Sequence, residues 1–313
     1  MTQAPAWRCA ADSLSRGDDL AGTASTVAAY LLLEHAGSWG EDAFRDSRLP
    51  AALGPALKRH ATSAGVRPLL VRRSGRGRAT QGGVRVLAAS ATHGWAETAV
   101  LPDLEAVLDL DLTRLRAGES LGLERVEGPV YAVCTHGRHD ACCAERGRPV
   151  ALALSEVEPE RTWECSHIGG DRFAGNLVVL PHGLYYGRLD PESAVAVAAA
   201  TAEGRLDLDH LRGRSTRAMP VQAAEIHLRR LLEEDRFDAV TLRGRPERHG
   251  DTVTAGFAVA GAAGDAVYAV AVRTTFATAP AALTCQAGRG GRTDQVPRHE
   301  VVDITRVDPR TSS

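Results

Sequence analysis

The sequence lacks any long apolar run and any excess of charge of one sign. No stretch of 18 apolar residues occurs, which excludes a membrane-spanning helix at the level of sequence. Lys and Arg number 37 and Asp and Glu number 39, so the net charge of −2 provides no field that would attract nucleic acid or a membrane surface. The first residues, MTQAPAWRCAADSLSRGDD, contain no basic region followed by an apolar one. No secretory signal is therefore expected, and the predicted location is the cytoplasm.

Several catalytic signatures are also missing. The sequence has no Walker loop, no G-x-S-x-G elbow and no H-E-x-x-H pair, which argues against the nucleotide-binding, hydrolase and metalloprotease classes that carry them. It has no C-x-x-C pair, the signature of thioredoxin-type redox sites and of short zinc knuckles. The chemistry left to consider is that of more widely spaced thiols and imidazoles.

Thiols and imidazoles are concentrated in one stretch, from Tyr131 to Leu189. In a reducing compartment, clustered cysteines indicate metal ligands or redox groups rather than disulfides. The stretch holds four of the six cysteines and four histidines: Cys134, Cys142, Cys143, Cys165, His136, His139, His167 and His182.

The first part of a metal site is the segment between Cys134 and Cys143. Eight residues separate the two cysteines, and they are polar and include Gly137, so the segment can wrap around a bound group. Thiolates are soft donors that suit iron–sulfur clusters, zinc or copper(I). A spacing this wide favours an object larger than a single ion, such as a cluster.

The second part is the sequence H-I-G-G-D, in which three residues separate His167 from Asp171. Gly169 and Gly170 permit positive φ and let the backbone pass close to an inorganic core. Backbone N–H groups in such a loop can donate to sulfides and tune the potential. Arg172 follows directly and is a candidate for balancing the charge of a cluster.

These motifs resemble a known family. The order C-x₈-C, helix, H-I-G-G-D and then LVVLPHGLYYGRLDPE is similar to the thioredoxin-like [2Fe–2S] ferredoxins. It resembles more closely the sucrase/ferredoxin-like family, whose members carry C-x-H-x-x-R-D-x-x-C and H-x-G-G-H. GTA at 22–24, LLLEHAGSWG at 31–40 and SRLP at 47–50 also look like that family. Its name does not bring sucrase activity with it, because no acidic pair stands out in an aromatic-lined setting and aromatics make up only 4% of the chain.

The resemblance implies a [2Fe–2S] cluster with two cysteines on one iron and two histidines on the other. Cys134 and Cys143 fall on the cysteine positions, and His167 falls on the first histidine. Asp171 stands where the second histidine would be, and a carboxylate is a harder donor than an imidazole. The fourth ligand therefore remains open between Asp171 and Cys165.

A second departure from the family pattern is His139, where the family has arginine. His139 and His136 are therefore further ligand candidates. Cys142 would strain the loop if it bound beside its neighbour. Cys9 and Cys285 lie far from the motif in sequence, and both are interpreted as ordinary thiols.

The patterning predicts an α/β protein with a thioredoxin-like ferredoxin domain, preceded by a second α/β half and followed by a small region of one helix and an antiparallel sheet. The first half is expected to run β-α-β-β and the second β-α-β-β-β-α. Residues 1–20 are expected to be irregular, a helix to begin at Pro149, and 205–217 to form a linker. The predicted units are residues 1–125, 126–212 and 213–313.

The leading functional hypothesis is a soluble [2Fe–2S] protein for electron transfer or redox sensing, with an unidentified redox partner protein. A histidine-ligated iron is expected to raise the potential above the roughly −400 mV of all-cysteine plant-type clusters. One alternative is a thiol–disulfide oxidoreductase that uses Cys134 with Cys142 or Cys143. Another is a non-catalytic interaction protein whose loops bind zinc or no metal.

Overall fold

A computed structural model describes residues 6–74, 80–261 and 266–307. These residues form a ten-stranded mixed sheet and a four-stranded antiparallel sheet, with helices packed on them. The predicted α/β class is confirmed.

The elements are numbered in chain order. The strands of the large sheet are β1 (Ala29–Glu34), β2 (Arg67–Arg72), β3 (Val84–Ser90), β4 (Trp95–Leu101), β5 (Glu124–Arg125), β6 (Val130–Cys134), β7 (Thr162–Cys165), β8 (Leu177–Leu180), β9 (Leu184–Tyr186) and β10 (Leu211–Arg214). The strands of the small sheet are β11 (Val240–His249), β12 (Thr252–Val259), β13 (Ala266–Phe276) and β14 (Pro297–Val307). The α-helices are α1 (Cys9–Ser15), α2 (Leu53–Ser63), α3 (Leu112–Ala117), α4 (Ala141–Val157), α5 (Pro191–Ala202), α6 (Met219–Leu232) and α7 (Cys285–Arg289).

The large sheet consists of two halves with the same topology. In the first, β1 and β2 are parallel and joined through α2, while β3 and β4 add antiparallel strands beyond β1. In the second, β6 and β7 are parallel and joined through α4, while β8 and β9 add antiparallel strands beyond β6. The halves meet where β2 pairs antiparallel with β7. The order predicted for the second half is confirmed, whereas the first half has two further strands, β4 and β5, that the sequence patterning missed.

The large sheet curls around an internal core. Five strand spacings separate β9 from β1 in the strand order, or roughly 24 Å in a flat sheet. The hydroxyl oxygens of Tyr185 on β9 and Tyr30 on β1 are nevertheless 3.3 Å apart. The enclosed face carries Leu32, Trp163 and Cys134. The thiol-bearing strand ends therefore lie against a dry core.

Three local predictions are wrong. Helix α4 begins at Ala141, because Asp140 caps it by accepting a hydrogen bond from the Cys142 N–H at 2.9 Å. Pro149 consequently lies inside this helix rather than at its start. Residues expected to be irregular contain α1, and the expected linker contains β10, which pairs with β9.

The predicted helix and meander that follow the large sheet are confirmed. Helix α6 packs against the small sheet, and Val221 and Leu228 of its apolar face are buried with Phe257 of β12. The last strand, β14, pairs antiparallel with β13 and completes the small sheet.

Gly147 sets the distance between α4 and β6, the strand that ends at Cys134. A Cβ atom at this position would lie 2.1 Å from the carbonyl oxygen of Cys134. We expect Gly147→Ala to lower the free energy of unfolding by about 1–3 kcal/mol, because this overlap outweighs the higher helix propensity of alanine. Urea denaturation would measure the loss. The control is Gly290→Ala, where the nearest atom would be 3.5 Å away, and an equal cost in both variants would contradict the prediction.

Candidate metal centre

Strand ends bring the predicted ligand residues together. Cys134 ends β6 and pairs in register with Cys165, which ends the parallel strand β7. Cys143 lies in the first turn of α4, and His167 and Asp171 lie in the loop that follows β7. Both halves of the motif thus meet at the carboxyl ends of the parallel strands β6 and β7, where sheets of this kind commonly present functional groups.

Asp171 contacts several of the other candidate ligands. Its Oδ1 accepts a hydrogen bond from Cys143 Sγ at 3.2 Å and lies 2.9 Å from Nδ1 of His167, within ion-pair distance. Its Oδ2 lies 3.6 Å from Nε2 of His139. Asp171 itself is only 3% exposed, so a carboxylate buried to this degree depends on these partners. One ligand atom each from His139, His167 and Asp171 lie within 4.8 Å of one another, close enough to share a metal ion.

The thiols and the imidazole form a charged group. Hydrogen bonds with Cys143 and His167 hold the pKa of Cys134 well below its ordinary value, against the effect of burial. Burial lowers the pKa of His167, but hydrogen bonding to Asp171 and Cys134 outweighs this and raises it to about 9. Burial raises the pKa of Asp171, and its contact with His167 reverses that shift and lowers it. The pKa of Cys134 is thus lowered while that of Cys143 is raised through the same contact, so Cys134 is the more readily ionised thiol of the pair.

His136 faces away from this group. Its Nδ1 accepts from the backbone N–H of His167 at 3.3 Å, so its proton is on Nε2, which donates to the carbonyl of Gly40 at 2.9 Å. Burial lowers the pKa of His136, in keeping with a neutral ring. With both nitrogens engaged, His136 positions the backbone of His167.

The loop from His167 to Gly170 is held from outside through its carbonyl groups. Each of the four carbonyl oxygens accepts a hydrogen bond from a side chain elsewhere in the chain. The donors are Arg67 to His167 O at 3.1 Å, Ser25 to Ile168 O at 3.0 Å, Arg212 to Gly169 O at 2.9 Å and Asn176 to Gly170 O at 2.8 Å. The loop is thereby fixed without using the side chains of its two ligand candidates.

The two glycines of this loop have positive φ, 97° for Gly169 and 83° for Gly170. A Cβ atom at Gly169 would lie 2.6 Å from Ser25 Oγ, and one at Gly170 would lie 2.2 Å from Nη2 of Arg212. The close approach made by these glycines is therefore to protein side chains. Their contact with a cofactor stays a prediction.

Arg172 points to the N-terminal segment. Its Nε lies 3.3 Å from Oδ2 of Asp18, and its guanidinium stacks over the ring of Phe173 at 4.4 Å. Burial lowers the pKa of Arg172. Its charge is paired with Asp18, and its predicted role in balancing a cluster remains untested.

Cys165 differs from Asp171 in its surroundings. Burial raises the pKa of its thiol, which is fully enclosed beside Cys134. Within the described parts of the chain, Asp171 makes polar contacts to Cys143 and His167, whereas the sulfur of Cys165 makes none. Of the two candidates for the fourth ligand, Asp171 is the one joined to the other donors.

A cleft of about 310 Å³ opens beside the imidazoles. His136, His139 and His167 line it together with Arg67 and Phe44. The side chains of His139 and His167 are 33% and 29% exposed, whereas Cys134 and Cys143 are each 1% exposed. The group therefore has a buried thiol side and an accessible imidazole side.

A second buried group escaped the sequence analysis. Cys9 and Cys285, interpreted as ordinary thiols, lie beside Cys142 and Asp140. Ligand atoms of the four residues lie within 4.8 Å of one another, so this group could bind a metal ion. No spacing in the sequence links residues 9 and 285 to the motif. The capping position of Asp140 two residues before Cys142 was the one local signal of this arrangement.

Fold and site together define a mixed α/β protein with two groups of side chains that could bind metal ions. The sucrase/ferredoxin-like family matches residues 20–213, more than half of the chain, and the chain belongs to this family. No curated protein and no solved structure matches the chain. Over the described ranges, every helix is too short or too polar to cross a membrane.

Proposed function

We propose that this protein is a one-electron redox protein that holds a [2Fe–2S] cluster through Cys134, Cys143, His167 and Asp171. The observation that carries the proposal is the contact of Asp171 with both Cys143 and His167, beside Cys134, whose pKa these neighbours lower. The β-α-β-β-β-α order of the surrounding half supports a thioredoxin-like frame for it.

The chemistry of the donor set fits such a group. Two thiols, one of which has a lowered pKa, an imidazole and a carboxylate are donors for iron. The rings of His139 and His167 line the cleft, which supplies volume next to the imidazoles. When bound, the cluster would supply reversible uptake of a single electron.

The protein residues would fix the site and exclude water from its inner side. The histidine loop, from His167 to Gly170, is held in place by hydrogen bonds to its carbonyl oxygens from Arg67, Ser25, Arg212 and Asn176. Little rearrangement of this loop is therefore needed when the charge of the cluster changes. The thiols are sealed in the core, and the edge of His167 is open to the cleft. Electrons would enter and leave through this imidazole edge, where we expect a redox partner protein to dock.

All six cysteines are free thiols. Such a set supports a reducing compartment, in line with the predicted cytoplasmic location. The cysteines at the centre would then be available for metal.

Anaerobic absorption and EPR spectra test the proposal. We expect the wild-type protein to show thiolate-to-iron charge-transfer bands and a rhombic EPR signal after reduction. Cys134→Ser and His167→Ala are expected to lose the cluster, because each removes one of the four proposed ligands. The matched control is His93→Ala, in which an exposed histidine outside the site is removed. Wild-type protein whose absorption and EPR spectra show no bound iron after anaerobic reconstitution would refute the proposal.

A thiol–disulfide oxidoreductase is the second candidate. The supporting observation is that Cys143 lowers the pKa of the neighbouring Cys134 well below its ordinary value. Both thiols are almost fully buried, which opposes attack on a protein disulfide. Insulin reduction by metal-free protein, lost in Cys134→Ser, would favour this activity over electron transfer. Zinc in place of iron at the site would favour the non-catalytic interaction protein.

A further inference from the structure

The second buried group has the geometry of a closed metal site. The three sulfur–sulfur distances are 3.7 Å between Cys9 and Cys142, 3.4 Å between Cys142 and Cys285 and 3.6 Å between Cys285 and Cys9. Thiolates bound to a tetrahedral zinc ion at 2.3 Å lie about 3.8 Å apart. A disulfide would need about 2.05 Å, and all three cysteines are free. The triangle is thus nearly the size that a single tetrahedral ion requires.

Asp140 completes the donor set. Its oxygens lie 3.7 and 3.6 Å from the sulfur of Cys9. Each oxygen also accepts one backbone N–H, from Cys142 at 2.9 Å and from Cys285 at 2.6 Å, so the carboxylate is held in a fixed orientation. An accepting oxygen keeps a further lone pair, which is free to bind an ion.

The burial and charge of the group point to a structural ion. The three cysteines are 0–3% exposed and Asp140 is 1% exposed, which leaves no open position for a substrate. Three thiolates and a carboxylate carry four negative charges, of which a divalent ion neutralises two. The guanidinium groups of Arg8 and Arg172 are close enough to interact electrostatically with these sulfurs.

We propose that Cys9, Cys142, Cys285 and Asp140 bind one zinc ion that ties together three distant parts of the chain. The thiols come from α1, α4 and α7, and two of them lie outside residues 20–213. Binding converts three thiols to thiolates, and their protons pass to solvent. Cys142 serves this ion while the adjacent Cys143 faces the Asp171 group, so α4 contributes to two separate centres. The proposal does not depend on a cluster at the first centre.

Cobalt titration of the full-length double variant Cys134→Ser/Cys143→Ser tests the proposal. This variant disables the first centre and keeps all four proposed zinc ligands. We expect about one equivalent of Co²⁺ to produce thiolate-to-cobalt charge transfer and tetrahedral d–d bands, and Zn²⁺ to displace it. The same background with Cys165→Ala is expected to keep these bands, and with Cys9→Ser or Cys285→Ser to lose them.

The titration of the double variant, which is the parent of the triple variants, decides the question even if a third substitution prevents folding. Circular dichroism would reveal such a loss of folding. Absence of thiolate–cobalt bands in a folded parent would overturn the proposal. So would bands that survive Cys9→Ser and Cys285→Ser, or a Cys142–Cys285 disulfide in protein purified anaerobically. Zinc analysis of untreated wild-type protein should give about one zinc per chain that persists in the double variant.

Discussion

Asp171→Asn is expected to weaken metal binding at the first centre by at least about 10–100-fold. The amide keeps the size of the side chain but loses the charge that pairs with His167 at 2.9 Å. It also brings N–H groups towards Cys143, which needs an acceptor. Iron content after anaerobic reconstitution and competition with a chelator would measure the loss.

Cys165→Ala is the matched comparison, because it removes the rival ligand while leaving the Asp171 contacts in place. Iron content equal to that of the wild type is expected. If Cys165→Ala loses the cluster and Asp171→Asn keeps it, the fourth ligand is Cys165 and the proposed assignment is wrong.

The two departures from the family motif lie side by side. Asp171 occupies the position of the second histidine of the motif, and His139 occupies the position of an arginine. Their side chains are 3.6 Å apart, and the ring centroid of His139 is 3.9 Å from that of His167. Compared with the family motif, this chain thus lacks an imidazole at position 171 and has one at position 139. His139→Ala should therefore change the EPR line shape of a bound cluster, whereas an unchanged spectrum would exclude His139 from its surroundings.

Glu225→Gln is expected to lower the free energy of unfolding by about 3–5 kcal/mol at neutral pH. Glu225 on α6 is 1% exposed and forms ion pairs with Arg214 at 3.1 Å, with Arg229 at 3.0 Å and with Arg217. Removing its charge leaves three guanidinium groups without their shared partner. Guanidinium chloride denaturation with matched ionic strength would measure the difference.

The same residue predicts a pH dependence. Burial alone would raise the pKa of Glu225, but the attraction of Arg217, Arg214 and Arg229 outweighs it and lowers the pKa from 4.5 to about 2. A lowered folded-state pKa stabilises the protein above the unfolded value, and this contribution of about 3 kcal/mol is lost as pH falls from 4.5 to about 2. The difference in free energy of unfolding between wild type and Glu225→Gln should therefore narrow as the pH falls from 4.5 to about 2.

Glu119→Gln is the control for the loss of a glutamate charge. Glu119 is exposed and lies 3.5 Å from Arg114, and pairs of this kind contribute about 0–1 kcal/mol. A gap for Glu225→Gln that is as small as this, or that does not change with pH, would contradict the prediction.

Local patterns in the sequence predicted many of the elements and the candidate residues of the first centre, because strands, caps and ligand spacing are short-range features. The start of α5 shows such a local feature, since Asp190 caps it and Pro191 is its first residue. The second group is different, since 276 positions separate Cys9 from Cys285 and only the folded chain brings them together. Short polar β10 gave no strand pattern either, although its Arg212 is 1% exposed and holds the histidine loop.

The wide sequence span of the contacts around the histidine loop has a consequence for biosynthesis. Arg212 bonds Gly169 and Asn176 on one side and the backbone and hydroxyl of Thr23 on the other. A nascent chain that ends before residue 212 has all the ligands of the first centre but lacks the guanidinium that fixes their loop. Iron delivered before residue 212 has been made would meet ligands whose loop is not yet held, so insertion is expected only after that point. The proposed zinc site also needs Cys285, so its ion would enter later still.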